Sequence, residues 1–171
     1  MGRVNRRDSG PVVPPTARLE PLPLRVAHAE EMAEVLADPR PHEFIGGEPD
    51  SVERLRSRYE RMTAGSPRPN ETWLNWVILL RDENRPVGTV QATIVDRVAE
   101  IARVVGVRGQ GRGIAREAAR SLADSLARGP VETLVAHIHP DRHASASVAR
   151  SAGLAPTGRR HDGEIRWERS R

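Results

Sequence analysis

The chain contains no cysteine. Disulfides, thiolate metal sites and a cysteine nucleophile are excluded together, and a reducing compartment is expected. Lysine is also absent, so all 27 basic residues are arginine. That rules out a P-loop, which ends on Gly-Lys-Ser/Thr. Phe44, Tyr59, Trp73, Trp76 and Trp167 are the only aromatics. So few cannot build the stacking platforms that single-stranded nucleic-acid binders use. The core must rest on Val, Leu, Ile and Ala. No run of about 18 apolar residues occurs, so no membrane span is expected. The N-terminal stretch MGRVNRRDSGPVVPPTA has charge but no apolar segment of the signal-peptide kind. A cytoplasmic protein is expected.

What is present fits one domain. The 171 residues, 37% of them hydrophobic, leave room for a proper core. The net charge is +4 and the pI about 10.9. However, 23 acidic residues are interspersed among the arginines. Mixed charge of this kind reads as a solvated surface rather than a phosphate-tracking stripe. No nucleic-acid partner is expected.

Residues 1–16 are rich in Arg, Pro and Gly and lack periodicity, which predicts a disordered tail before one domain over 17–171. Leu19, Leu22 and Leu24 suggest a first strand, confined to an edge by Pro21 and Pro23. Ala27–Leu36 reads as a helix that ends before Pro39. Ser51 is placed to cap a second helix running to about Met62, with Glu53 in its first turn. Strands follow at Trp73–Leu80, Val87–Val95 and Ala99–Val107, the first two joined as a hairpin. Gly111–Arg128 is the longest helix, with Ile114, Ala118, Leu122 and Leu126 on one face. Val131–His139 is a strand and Asp141–Ala152 a helix. Two short strands, near Ala155–Gly158 and Glu164–Trp167, are joined through the tight-turn pair Asp162-Gly163. The order β-α-α-β-β-β-α-β-α-β-β implies an α/β fold with a mixed sheet and one parallel crossover around the long helix.

The chemistry points to Val104-Val-Gly-Val-Arg-Gly-Gln-Gly-Arg-Gly-Ile-Ala115. Here a strand enters a glycine-rich turn that opens a helix. The first N–H groups of a helix have no partner and carry partial positive charge. Glycines let an anion approach them closely, so the turn suits a pyrophosphate. The spacing is not Gly-x-Gly-x-x-Gly, and the preceding strand belongs to a hairpin, so a dinucleotide site is not expected. What remains is the pattern Arg/Gln-x-x-Gly-x-Gly/Ala, present as Arg108-x-x-Gly111-x-Gly113.

With that loop, and with Ala17-Arg-Leu19, Val87-Gly-Thr89, Ala99-Glu-Ile101 and His143-Ala-Ser-Ala-Ser-Val-Ala-Arg-Ser-Ala-Gly-Leu154 around it, the sequence resembles the GNAT superfamily of N-acetyltransferases. It looks most like the branch that holds ribosomal-protein N-terminal acetyltransferases. The resemblance spans about residues 17–168. It implies a three-layer α/β fold with a mixed, mostly antiparallel sheet flanked by helices. It also implies acetyl-CoA as cosubstrate, no metal, an amine acceptor, and a monomer or homodimer. Val105, Gly106 and Val107 would pair with the pantetheine arm like an added strand. Arg108 and the turn Gln110, Gly111, Arg112, Gly113, Ile114 and Ala115 would hold the pyrophosphate. The Phe44–Pro49 loop, the second helix and the last hairpin would line the acceptor site.

Acetyl transfer from a thioester needs an aligned amine, removal of its proton and protonation of the thiolate. Two carboxylates are candidate bases: Glu100, on one strand face with Ala102 and Val104, and Glu164 after the Asp162-Gly163 turn. Many relatives use a tyrosine as the acid, where this chain has Ala149. Ser145 is left to bond the cofactor or protonate the thiolate. His143 stands where the family often has asparagine and is a candidate cofactor contact. His137, His139 and His143 invite a metal reading, but no carboxylate pattern completes one. Arg103 and Arg108 occupy places where relatives often carry an aromatic. These departures keep a second expectation open, a non-catalytic acyl-CoA-binding module on the same fold.

Overall fold

The computed structural model describes residues 11–38 and 48–171. The Phe44–Pro49 loop lies, up to Gly47, outside the described residues. The elements are β1 (Leu19–Pro23), α1 (Ala29–Val35), α2 (Val52–Ala64), β2 (Glu71–Leu80), β3 (Arg85–Val95), β4 (Val98–Val105), α3 (Ile114–Ala127), β5 (Thr133–Ile138), α4 (His143–Ser151), β6 (Ala155–His161) and β7 (Glu164–Ser170). Their order is the one the sequence predicts.

The strands form one sheet in the order β1-β2-β3-β4-β5-β7-β6. Every neighbouring pair is antiparallel except β4 and β5, which α3 connects. Proline-bearing β1 lies at one edge, where a missing N–H costs no ladder bond. Ser51 Oγ accepts from the Arg54 N–H at 3.2 Å and caps α2. Asp162 and Gly163 both have positive φ, 48° and 82°, the signature of a two-residue hairpin turn.

The main core lies on one face of the sheet. Trp76, Ile78, Leu80, Val90, Ala92 and Ala99 pack against Ile114, Ala118, Leu122 and Leu126 of α3. Val148 and Ala149 of α4 close the same core beside Trp167. On the opposite face a smaller cluster joins Val77 and Leu24 to Ala29 and Met32 of α1 and to Leu55 and Tyr59 of α2. Among the described residues that cover reaches only the end of β4. Among the described residues, Val98, Glu100, Ala102 and Val104 all stay exposed on this face.

Several boundaries differ from expectation. Residues 11–16 are not a free tail. Val13 is 4% exposed, the Ser125 hydroxyl donates to the Val12 carbonyl at 2.7 Å, and Thr16 donates to Glu117 at 2.5 Å. A short segment thus caps the side of α3, a role that periodicity cannot reveal. The rest of the expected tail lies outside the described residues. β4 ends at Val105 rather than Val107, because Val107–Gly109 makes a 3-10 turn. The last two strands run to His161 and Ser170. β6 is an edge strand exposed on nearly every residue, so it lacks the alternation that marks a strand in sequence.

Candidate active site

β4 and β5 pair only from Val98–Thr133 to Glu100–Val135. Past that point they splay, and Ile101–Val105 has no β5 partner. The resulting cleft, about 810 Å³, runs between the strands and beneath α3 and α4. Small side chains at Ala102, Ala115, Ala136, Ala144 and Ala149 keep it wide. Unpaired strand edge inside a sheet offers backbone groups to an extended ligand.

At one end stands the β4–α3 turn. Gly111 and Gly113 have φ of 73° and 75°, where side chains with a Cβ are strained. Gly113 is the N-cap of α3, and the first helical bond runs from the Glu117 N–H to the Gly113 carbonyl at 3.1 Å. The N–H groups of Ile114, Ala115 and Arg116 therefore precede any helical acceptor. Gln110 Nε2 donates to the Val105 carbonyl at 3.1 Å and ties the turn to the strand end. The pattern Arg/Gln-x-x-Gly-x-Gly/Ala has a second frame here, Gln110-x-x-Gly113-x-Ala115. Only this frame places the second of its small residues on the first helical turn.

Val105, Gln110, Gly111, Gly113, Ile114 and Ala115 line the cleft, as do Ser145 and Glu164. The structure does not bring the remaining candidates to its walls. Arg108 is exposed and borders a separate cavity of about 590 Å³ with Gly106, Val107 and the acidic Glu31 and Glu34 of α1. Arg112 pairs with Glu83 at 3.0 Å, on the β2–β3 turn. A Cβ on Gly106 would meet the Val35 carbonyl oxygen at 2.6 Å, so it is the end of α1 that approaches this glycine. His143 is exposed, whereas Arg142, the residue before it and the N-cap of α4, faces the cleft.

On the open face, Glu100 meets a residue that sequence spacing alone did not select for this role. His137 Nδ1 lies 2.8 Å from Glu100 Oε1. The contact follows from register: Glu100 stands opposite Val135 in the parallel pair, and His137 is the next residue on that face. A carboxylate only accepts, so Nδ1 carries the hydrogen and Nε2 of the neutral ring keeps its lone pair. His137 is 14% exposed and lines the cleft, while Glu100 is 55% exposed and does not. The His161 ring lies 5.5 Å from the His137 ring, on the hairpin that also carries Glu164. His139 turns away and accepts from the Asp141 N–H at 3.1 Å. Among the described residues no three His, Asp or Glu side chains are grouped to hold a metal ion.

Ser145 sits in the first turn of α4, half-buried and without a hydrogen bond among the described residues. Neighbouring Ser147 accepts from Arg116 at 2.6 Å, which ties α3 to α4 across the mouth of the cleft. Arg103 is the charged residue of the β4 wall. Burial holds its guanidinium down at about 10, with the nearby charge of Arg142 adding to the effect. Arg103 has no carboxylate partner among the described residues.

A strand pair that opens beside a glycine-turned helix N-terminus defines a class of enzyme, and the comparisons agree. The family model described as the acetyltransferase (GNAT) domain matches residues 18–155. The chain belongs to this family and is an N-acetyltransferase. No curated protein sequence matches it. Solved structures share its fold. The ribosomal L7/L12 alpha-N-protein acetyltransferase RimL, in complex with coenzyme A, superimposes with a TM-score of 0.75 at 18% identity, covering 92% of this chain and 97% of that one. The Microcin C7 self immunity acetyltransferase MccE, in complex with acetyl-CoA and AMP, gives 0.73 at 17%, covering 91% and 94%. The aminoglycoside acetyltransferase AAC(6')-Ib, in complex with coenzyme A, gives 0.73 at 15%, covering 90% and 95%. At these identities the likeness is one of fold. Among the described residues no helix is long and apolar enough to cross a membrane.

Proposed function

We propose that the chain transfers acetyl from acetyl-CoA directly to a primary amine, of a protein N-terminus or a small molecule, in the cytoplasm. The carrying observation is that one cleft joins the β4–α3 turn to the Glu100–His137 pair. The pyrophosphate is held by the N–H groups of the turn, mainly Gly113 to Arg116. The pantetheine lies along the unpaired edge of β4 as far as Val105 and directs its thioester between the strands.

The amine arrives from the open face. His137 Nε2 accepts its proton as the nitrogen attacks the thioester carbon, and Glu100 orients the ring and stabilises the imidazolium that forms. Glu100 is thus a positioning residue, with His137 the group that touches the acceptor. Glu164, at the mouth of the cleft, orients the incoming ammonium before it is deprotonated. Ser145, near the other wall, donates to the leaving sulfur in place of the tyrosine that Ala149 replaces.

Likeness of fold to RimL and AAC(6')-Ib supports an amine acceptor in either size class. An acetyl-CoA turnover screen against amines and peptide N-termini tests the reading. With an acceptor in hand, His137→Ala, Glu100→Gln, Glu164→Gln and Ser145→Ala follow. General acid–base groups contribute roughly 10²–10⁴-fold. If none of the four lowers turnover by about tenfold, this assignment of roles is wrong.

A further inference from the structure

Arg103 faces the α3–α4 side of the sheet, the opposite face from Glu100, Ala102 and Val104. It is opposite Val90 in the antiparallel register, and Ile101, Val105 and Val148 line the same cleft wall. A guanidinium in such a wall loses hydration that hydrogen-bond acceptors must replace, and an anion replaces it best. Arg142 enters the same cleft from α4 and adds a second positive charge beside the first. Its charge acts unfavourably on Arg103, and an anion at Arg103 offsets that repulsion.

The ligand itself narrows what this anion can be. The diphosphate belongs to the Gln110–Ala115 turn, beyond the far end of β4. The acceptor comes from the other face. By register His137 stands level with Ala102, so the thioester it serves lies within about one residue of Arg103, and the acyl end of the donor comes within reach of the guanidinium. Resting on the reading that this cleft holds an acyl-CoA, we infer that Arg103 is a specificity residue for acyl groups bearing a terminal carboxylate, and that the enzyme transfers such groups, the succinyl group among them, as well as acetyl.

The chemistry is unchanged by the added carboxylate. The amine nitrogen forms a bond to the thioester carbon as the C–S bond breaks. The amine proton leaves to His137, a proton is delivered to sulfur, and coenzyme A departs. The carboxylate stays paired with Arg103 throughout. Ala149 supplies the room, since a side chain larger than methyl there would fill the wall next to Val148. Arginine suits the task because its planar fork meets a carboxylate with two parallel hydrogen bonds.

Calorimetric titration of the full chain with coenzyme A, acetyl-CoA and succinyl-CoA tests the inference without an acceptor. A hydrogen bond to a charged group converts to about a tenfold to hundredfold difference in affinity. Succinyl-CoA is expected to bind at least tenfold more tightly than acetyl-CoA. In Arg103→Met that margin collapses to within about twofold, and in Arg103→Lys, which keeps charge but not the fork, it falls only in part. Equal affinities in the wild type, or a margin that survives in Arg103→Met, overturn the inference. So does a margin that follows free coenzyme A as its thiol ionises at high pH, because Arg103 would then serve the thiolate. If acetyl-CoA binds and succinyl-CoA gains nothing, only this inference falls. If no thioester and no coenzyme A binds, the reading of the cleft falls with it.

Discussion

On the sheet face turned away from α3, β2 and β4 are finished differently. The β2 side is roofed: Val77 lies under Met32, Leu55 and Tyr59, each no more than 3% exposed. The β4 side is left open among the described residues, and Glu100, His137 and Glu164 stand there around the splay from β5. Among the described residues, one face of one sheet is thus divided between a dry half that holds the fold together and an open half, where the acceptor is proposed to arrive. The division arises because parallel β5 leaves β4 after Glu100, while antiparallel β2 and β3 stay paired along their length. Burial fixes the first half, so volume and polar satisfaction decide what a substitution does there. Register fixes the second half, so proton position decides.

The sharpest break in that contrast is His137→Ala. It should leave the roofed half intact and lower kcat by about a hundredfold or more, the range of a lost general base. Glu100→Gln should cost less, about tenfold, because the amide still holds the ring in place but no longer stabilises its charge. The two residues act as a unit, so the double variant should be little worse than His137→Ala alone. Full additivity in kcat would show that the 2.8 Å contact plays no part in proton transfer.

Gly106→Ala comes next, and its effect belongs to stability. The new methyl would press on the Val35 carbonyl from 2.6 Å, at the point where α1 meets the end of β4. Overpacking against backbone costs about 1–3 kcal/mol. Urea unfolding should show a lower midpoint with an unchanged slope. An unchanged midpoint would mean that α1 shifts freely, and that the roof is looser than its packing implies.

Gly113→Ala probes the end of the cleft proposed to hold the pyrophosphate. At φ 75° a Cβ costs roughly 1–2 kcal/mol, and its only close neighbour would be the flexible end of Arg18, Nη2 at 3.4 Å, so the cost lies mainly in the backbone. Affinity for coenzyme A should fall by about tenfold as the N-cap relaxes, with stability reduced by no more than the same amount. Unaltered affinity would detach the turn from the pyrophosphate.

The two ends of the cleft were not equally readable before the structure. The β4–α3 turn is contiguous, and glycines at set intervals before an amphipathic helix state its backbone geometry outright. The helix order, the Ser51 cap and the Asp162-Gly163 turn are local in the same sense. The Glu100–His137 pair is not local: it joins two strands through a parallel register that no short-range pattern encodes. Sequence spacing brought His137 forward only with His139 and His143, as a metal reading that no carboxylate pattern completes, and named no base among them. The motif put His143 forward as a cofactor contact, whereas on the helix it is Arg142, one residue earlier, that faces the cleft, because a motif frame can slip by one residue in sequence but not on a helix. Arg103 could be recognised as out of place in a strand, but the two arginines had no visible reason to meet until α4 was laid beside β4.

The smallest expected effect tests the roofed half and turns on a single hydroxyl. Tyr59 is 3% exposed, and its phenol oxygen has no hydrogen-bond partner among the described residues. Burial pushes its ionisation up to about 12, from an ordinary value of 10. The neutral phenol is the form the core accepts, so its contribution to stability is complete below pH 10, where the unfolded chain is also neutral. Above pH 10 the unfolded chain ionises first, and stability declines until the folded protein ionises too, near pH 12. A shift of that size is worth on the order of 1–3 kcal/mol across that window. Tyr59→Phe removes both the unpartnered oxygen and the proton. At pH 7 it should change stability by less than about 1 kcal/mol, in either direction. At pH 11 it should be clearly more stable than the wild type, by chemical denaturation at each pH. Two stability curves that stay parallel from pH 7 to 11 would mean that the hydroxyl finds water or a partner in solution. The α1–α2 roof would then be wetter than its packing says, and the contrast between the two halves of the face correspondingly weaker.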